Sequence, residues 1–272
     1  MATNVQTLRP SPTIRVRQIA LPTEHGGWGF LLEPMVAGLA IAFSLGGIWI
    51  SVMFIGAFLM RQPLKIYILD RRGMCDDRRA AVSMKYMLIY GAVLLSGVIG
   101  TALTCSLTTI LPLIAMLPLA ALQNYYDIFR RSRNLVPELA GAVAISSSVA
   151  AIALAGGRTP VFAAGLWVVF IGRLIPSIIY VRERLLLEKG KAFSGTVSNL
   201  LHVIAAAIVG VLAVAGVVPV LTFPVMILML VRAVLGLSPH RAKLKAKQIG
   251  IREVIYGTVL VLAVILGYFL GL

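Results

Sequence analysis

The chain has 272 residues, of which 59% are hydrophobic and only 13% are charged. A soluble domain of this length carries roughly a quarter charged residues, so the composition excludes an ordinary soluble protein and predicts helices in a bilayer. The net charge of +15 is typical of basic loops that face anionic lipid, and we therefore expect membrane lipids and no nucleic acid as partners.

The distribution of apolar residues along the sequence predicts a short N-terminal arm followed by one membrane domain. Residues 1–22 are predicted to be a flexible basic N-terminal arm, and residues 23–272 a single transmembrane domain. Apolar stretches lie at about 28–46, 48–68, 84–104, 108–126, 136–156, 160–180, 198–216, 218–237 and 254–272. Each approaches the roughly 20 residues that cross a hydrocarbon core. The sequence thus predicts an all-α polytopic bundle of nine transmembrane helices.

The basic residues predict an orientation for this bundle. Lys and Arg cluster in segments 1–27, 69–83, 127–135, 181–197 and 238–253, whereas the alternate joints contain only Arg158. Because basic loops remain in the cytoplasm, we expect a multi-pass protein of the cell (inner) membrane with a cytoplasmic N-terminus and an outer C-terminus.

The polar residues within the apolar stretches all lie in the predicted cytoplasmic half of the membrane. At 1.5 Å per residue, most lie within about 12 Å of the predicted cytoplasmic interface. They predict a polar chamber that opens to the cytoplasm beneath an apolar roof, because buried charges usually pair or line a cavity. The set comprises Glu33, Arg61, Lys65, Asn124, Asp127, Glu138, Arg173, Tyr180, His202, Arg232 and Glu253.

Several of these residues also have simpler interpretations. Arg61, Lys65 and Arg232 can extend to lipid headgroups, and His202 can pack between helices. Glu33 cannot extend as far, so it needs a cation, and Arg61 on the next helix is the predicted partner. A purely structural Glu33–Arg61 pair and a functional one are both open at this point.

Two further segments carry donors and acid–base groups. The three glycines of Thr23–Gly29 permit close backbone approach, and Glu24 and His25 add an acid–base pair or an interfacial cap. Arg131 and Lys243 lie in basic loops that suit phosphate groups or anionic lipid.

Three strings resemble the YwiC-like family of bacterial integral membrane proteins, for which no function is implied: PTEHGGWGFLLEP (22–34), QNYYDIFRRSRNLVPELAGAVAIS (123–146) and RAKLKAKQIGIREVIYG (241–257). The range 126–141 is also similar to the junction of the fourth and fifth helices in UbiA-type intramembrane prenyltransferases. That resemblance implies a UbiA-like bundle and an isoprenyl diphosphate ligand.

The UbiA-type enzymes hold Mg²⁺ through two aspartate-rich motifs, and this chain departs from both. Asp76 and Asp77 are adjacent rather than four apart, and Tyr180, Arg182 and Glu183 follow the sixth stretch. Neither spacing places two carboxylates on one helix face, so we expect no metal ligands; Mg²⁺ stays possible but the motif spacing does not support it. The cofactor is otherwise left open.

Three functions are consistent with these patterns. The first is a lipid-binding protein or prenyltransferase-like enzyme for an isoprenoid or other anionic amphiphile. Its head would contact Arg61, Lys65, Arg131, Arg173 and Lys243. Glu33, His25 and Asp127 would be acid–base candidates, with Glu24, Asn124, Glu138, Tyr180, Arg182, His202, Arg232 and Glu253 as further binding residues. Whether the protein is an enzyme is left open.

The second function is a transporter of a small anion or metabolite with Glu33, His202 and Glu253 as proton carriers. The one-sided polar set and the odd helix number disfavour it, because transporters usually show inverted repeats. The third is a non-catalytic assembly partner whose chamber is filled by its own salt bridges. The oligomeric state is also open, since Gly91, Gly97 and Gly100 suit helix packing within or between protomers.

Overall fold

The computed structural model describes residues 15–22, 25–74, 77–129 and 134–272, without the side chains of His25, Met74 and Asp77. These residues form ten α-helices joined by short turns. The helices are α1 (Val16–Ala20), α2 (His25–Ile41), α3 (Leu45–Leu69), α4 (Asp77–Thr104), α5 (Leu107–Ile128), α6 (Leu135–Ala155), α7 (Pro160–Glu188), α8 (Thr196–Val214), α9 (Thr222–Leu237) and α10 (Ala246–Leu270).

The helix α1 lies in the segment predicted to be a flexible arm. It packs against α3 and α4, and its Ile19 and Ala20 are buried. Residues 16–20 therefore differ from the prediction, because their apolar side chains find a surface on the bundle. Residues 1–14 of the predicted arm lie outside the described residues.

Each of the nine predicted apolar stretches overlaps one of the helices α2 to α10. Among the described residues, seven helices are long and apolar enough to cross a membrane, namely those in Leu45–Gly73, Arg78–Thr104, Leu107–Ile128, Leu135–Ala155, Pro160–Glu188, Thr196–Val214 and Ala246–Leu270. The apolar parts of α2 and α9, Gly26–Ile41 and Thr222–Leu237, are shorter. Their 16 residues cover about 24 Å, against about 30 Å of hydrocarbon. A helical, multi-pass membrane protein is thus confirmed.

Three helices extend well beyond the predicted apolar stretches. The helix α4 already begins at Asp77, α7 continues to Glu188, and α10 already begins at Ala246. The backbone N–H of Lys245 donates to the side-chain oxygen of Gln248 at 2.8 Å and so caps the start of α10. Segments predicted as basic loops are therefore partly helical.

Ion pairs show which helix ends lie together at one end of the bundle. Arg61, late in α3, pairs with Asp127 at the end of α5, and Arg182, late in α7, pairs with Glu138 at the start of α6. We call this end the basic end. It also includes residues 70–74, which follow α3, and the segments 189–195 and 238–245.

The opposite end, called the far end, is closed by small residues and one cation. Gly46 at the start of α3 packs beside Cys105, which follows α4, and Ala155 at the end of α6. The Arg158 side chain donates to the carbonyl oxygen of Ile41 at 2.8 Å. This bond satisfies a carbonyl that the end of α2 leaves without a helical donor.

The helices α6 and α7 form the centre of the bundle and are its most buried spans. Apolar side chains from α2, α8, α9 and α10 pack around them in one large cluster that includes Ile41, Val149, Leu166, Phe170, Met229 and Leu260. Large apolar side chains also cover the outside, where Val214 is 93% exposed and Leu103 is 81% exposed. Lipid is the solvent that suits such a surface.

Glycines allow α3 and α4 to approach closely within one chain. A methyl group on Gly97 of α4 would meet the backbone of Met53, and one on Gly100 would meet the ring of Trp49. Gly56 of α3 contacts Leu94 in the same way. Gly97 and Gly100 therefore pack within the protomer, which settles one alternative that the sequence left open.

Replacing Gly97 by Ala is expected to lower the free energy of unfolding by about 1–3 kcal/mol, since the added carbon overlaps backbone that cannot turn away. Thermal unfolding in detergent measures this change. Gly91→Ala on the same helix is the matched control, because its nearest neighbour would be the Met60 sulfur at 3.7 Å. Equal stability of the two variants would contradict close α3–α4 packing.

Candidate functional site

Four charged side chains from four helices meet near the basic end, and we call them the central charge network: Glu33 (α2), Arg173 (α7), Arg232 (α9) and Glu253 (α10). Arg173 lies 3.5 Å from Glu33 Oε1 and 3.5 Å from Glu253 Oε2. It also donates to the backbone oxygen of Glu253 at 2.8 Å. Arg232 donates to Glu253 Oε1 at 2.7 Å. Glu253 thus joins the two arginines.

Polar and aromatic groups surround the Arg232 end of the network. The Arg232 guanidinium donates to Ser177 Oγ at 3.0 Å and lies 3.4 Å from His202 Nε2. The same guanidinium stacks over the ring of Tyr180, 4.1 Å from the centroid, and lies 5.3 Å from that of Tyr256. These contacts compensate part of the cost of burying a charge.

Glycine at one position of α10 makes room for Glu33. A methyl group on Gly257 would overlap the Glu33 carboxylate, so the bare backbone of α10 forms one wall of its site. Glu253 and Gly257 are four residues apart and face the same side of α10. One turn of α10 therefore supplies both the acceptor for Arg173 and the space for Glu33.

The central charge network is balanced in charge but its hydrogen bonds are incomplete. Glu33, Arg173 and Arg232 are each at most 8% exposed. Within the described part of the chain, Glu33 Oε2 and the Nε atoms of both arginines have no hydrogen-bond partner. Buried polar atoms without partners are costly, and in functional proteins they often face a ligand or an ordered water.

A cavity of about 620 Å³, called the main pocket, reaches the network from the basic end. Glu33, Arg173 and Glu253 lie on its wall together with Arg61. Apolar side chains from α2, α3, α6, α7 and α10 cover much of the remaining surface, namely Phe30, Phe58, Ala142, Ile145, Ile178, Val181, Leu185, Leu186 and Val254. Its volume is typical of a small-molecule site, and its chemistry is amphipathic.

The ion pairs differ from the pairing predicted for Glu33. The Glu33 carboxylate contacts Arg173, and Arg61 forms a two-point contact with Asp127, with Arg61 Nη2 3.3 Å from Asp127 Oδ1. Sequence proximity favoured Arg61 as the partner of Glu33. Close packing of α2 against α10 places Glu33 in the group around Arg173, so that prediction was wrong.

The structure brings together most residues of the predicted chamber. Glu33, Arg61, Glu138, Arg173, Arg182 and Glu253 line the main pocket, and Tyr180, His202 and Arg232 adjoin it through the central charge network. Asp127 is buried against Arg61 and does not line the pocket.

Other predicted residues lie elsewhere. Lys65 lies one helical turn beyond Arg61 on α3, and the exposed Lys243 lies in the 238–245 turn; neither lines the main pocket. The Asn124 amide donates to the Ala120 carbonyl of its own helix at 2.9 Å. Glu24, Arg131 and the side chain of His25 fall outside the described residues.

One buried arginine near the basic end was missed by the sequence analysis. Arg184 is only 2% exposed and pairs with Glu188 at 2.8 Å. Residues 173, 177, 180, 184 and 188 are spaced by three or four, so they lie on one face of α7. This spacing was the available signal, but residues 181–197 were interpreted as a loop.

Carboxylates of the described residues do not gather around a possible metal. No group of three or more His, Cys, Asp or Glu side chains in the described ranges has the geometry to hold a metal ion. Asp70, in the turn after α3, is buried and pairs with Arg79. Asp76 lies outside the described residues, as does the side chain of Asp77.

Comparison with known proteins finds one family model that is similar to part of the chain. No curated protein and no solved structure gives a significant match. Residues 21–153 match the family model described as YwiC-like protein. The matched range includes Glu33, Arg61 and Glu138 of the main pocket, whereas Arg173 and Glu253 lie beyond it. The resemblance to the YwiC-like family that the sequence predicted is thereby confirmed over residues 21–153.

Proposed function

We propose that the protein binds an amphiphile with an anionic head in the main pocket. The observation that carries this proposal is the chemistry of the pocket wall, where an apolar lining ends on the buried Arg173 and the half-buried Arg61. An alkyl or isoprenoid tail suits the lining, and a diphosphate or carboxylate suits the two guanidinium groups.

The arrangement also supports an orientation in the membrane. With α2 and α9 as crossings beside the seven longer spans, the chain crosses nine times and all basic turns lie on one side. Lys and Arg in short loops favour the cytoplasmic side. We infer that the basic end, the N-terminus and the mouth of the main pocket face the cytoplasm.

Within this proposal, Glu33 is the candidate acid–base group. It is buried, lines the main pocket and retains one carboxylate oxygen without a hydrogen-bond partner in the described chain. A carboxylate so placed has access to a bound head and a balancing cation in Arg173.

The test is ligand-dependent thermal unfolding of the purified protein in detergent. Isoprenyl diphosphates of several lengths, quinone headgroup acids and inorganic diphosphate are compared, each with Mg²⁺ and with chelator. A ligand at a hundredfold excess over its Kd stabilises the folded state by about 2.7 kcal/mol. We expect the largest stabilisation from an isoprenyl diphosphate, and its persistence under chelator would support direct contact with arginine.

A matched pair of variants localises the binding. Ile145→Trp fills the main pocket and is expected to abolish stabilisation by the amphiphile. Val203→Trp adds the same side chain to the lipid-facing surface of α8, where Val203 is 48% exposed, and is expected to keep it. Full stabilisation of Ile145→Trp, or no stabilisation of the wild-type protein by any compound, would refute the proposal.

One observation favours a second candidate function, that of a non-catalytic assembly partner. The four side chains of the central charge network pair with each other, as expected when salt bridges fill the chamber. The ligand panel described above distinguishes the two functions. If the chamber is filled only by its own ion pairs, none of the ligands in the panel should bind.

A further inference from the structure

A second cavity of about 370 Å³ lies beside the main pocket at the basic end. The ends of α7 and α9, the 238–245 turn and the start of α10 enclose it. Its lining includes four arginines, Arg184, Arg232, Arg241 and Arg252, and one carboxylate, Glu253. Glu253 is the one lining residue that this second pocket shares with the main pocket in the described chain.

The two nearby carboxylates do not balance the cations of the second pocket. Glu253 is shared between Arg232 and Arg173, which belongs to the main pocket. Glu188, beside the second pocket, contacts both Arg184 at 2.8 Å and Arg241 at 3.5 Å. The four arginines of the second pocket thus have two carboxylates near them, and Glu253 also pairs with Arg173. The second pocket therefore carries an excess of positive charge.

Arg184 shows that the second pocket extends to a buried cation and is not only a cluster of surface charges. Its side chain is 2% exposed, and its Nη2 donates to the carbonyl oxygen of Ala242 at 2.5 Å. Its Nη1 and Nε are buried and have no hydrogen-bond partner in the described part of the chain. A buried cationic donor without an acceptor is costly, and a ligand anion removes that cost.

The turn that closes the second pocket is held in place by the same groups. The Ala242 carbonyl accepts from Arg184, and the backbone N–H of Leu244 lies 3.4 Å from Glu188 Oε1. These bonds position Arg241 over the end of α7. Arg184 and Arg241 are therefore arranged before a ligand arrives, which reduces the entropic cost of binding.

We propose that the second pocket binds a phosphate group, carried either by a small soluble phosphate compound or by the headgroup of an anionic lipid. Planar guanidinium groups contact phosphate oxygens at two points and remain charged at all physiological pH values. The size of the cavity is at the small end of ligand sites, which suits a compact anion. This site does not depend on an amphiphile in the main pocket.

The experiment measures binding of inorganic phosphate to the full chain in phosphatidylcholine nanodiscs at constant ionic strength. A parallel series replaces part of the phosphatidylcholine by phosphatidic acid and measures lipid-dependent thermal stabilisation. We expect saturable binding in at least one series. Binding of free phosphate identifies a soluble ligand, and a response confined to phosphatidic acid identifies a lipid headgroup.

The variants separate the pocket from general electrostatics. The double variant Arg241→Gln/Arg252→Gln removes two lining cations and is expected to raise the Kd at least about tenfold, because hydrogen bonds to charged groups are the stronger class. The control Lys243→Gln/Lys247→Gln removes two exposed cations from the same segment that do not line the pocket, and should leave the Kd unchanged.

Ile145→Trp, which fills the main pocket, should also bind phosphate normally, so failure of the two proposals is distinguishable. Equal weakening by the lysine and arginine double variants would overturn the site, because attraction by the basic surface alone would then explain binding. Absence of binding in both nanodisc series would overturn it as well.

Discussion

Replacing Arg173 by Met is expected to lower the free energy of unfolding by about 3–5 kcal/mol, because it leaves a buried carboxylate without its cation. Met has a similar length but no charge, so Glu33 would lose the guanidinium that it contacts at 3.5 Å while it stays buried. Glu253 would keep Arg232 at 2.7 Å. Equilibrium unfolding in mixed micelles measures the change.

The control for Arg173→Met is Arg182→Met on the same helix. The Arg182–Glu138 pair is open to solvent, with side chains 37% and 39% exposed, so its loss should change stability by at most about 1 kcal/mol. Adding Glu33→Gln to Arg173→Met should restore part of the stability, because the stranded carboxylate is then replaced by a neutral amide. No recovery in this double variant would contradict a direct Glu33–Arg173 interaction.

Replacing Gly257 by Ala is expected to destabilise the protein by about 3 kcal/mol. The added methyl group overlaps the Glu33 carboxylate, so the variant combines overpacking of about 1–3 kcal/mol with a displaced buried charge. Thermal unfolding in detergent measures the stability, and binding of the amphiphile in the main pocket should weaken in parallel.

Gly250→Ala on the same helix is the matched control for Gly257→Ala. A methyl group on Gly250 would have no neighbour within 4 Å, and Ala favours a helix over Gly by up to about 1 kcal/mol. This variant should therefore be neutral or slightly stabilised. If Gly257→Ala behaves in the same way, the Glu33 side chain does not occupy the space beside α10.

The helices could be predicted because their signal is local. A run of apolar residues predicts a helix in lipid without any knowledge of its neighbours. All nine predicted runs overlap helices α2 to α10. The ends of the helices were harder to predict from the sequence at the basic end. Residues 181–188 and 246–253 carry charges typical of loops, yet they continue α7 and begin α10, because charged side chains outside the hydrocarbon do not interrupt a helix.

The candidate site was predictable in its members but not in its pairing. Depth along each helix correctly grouped Glu33, Arg173, Arg232 and Glu253 near one end. The partner of Glu33 depends instead on which helices are neighbours, and α2 packs closely against α10 and α6, which are distant in the chain. A pattern in one helix carries no information about that choice.

The charged contacts of α2 have a consequence for biosynthesis. Glu33 is synthesised 140 residues before its cation Arg173, and Gly257 follows later still. Arg158, which closes the other end of α2, follows Ile41 by 117 residues. The helix α2 therefore reaches its final environment only after α10 has been made. Until then, the Glu33 carboxylate has no Arg173 beside it, so water must solvate this charge while the chain is being made.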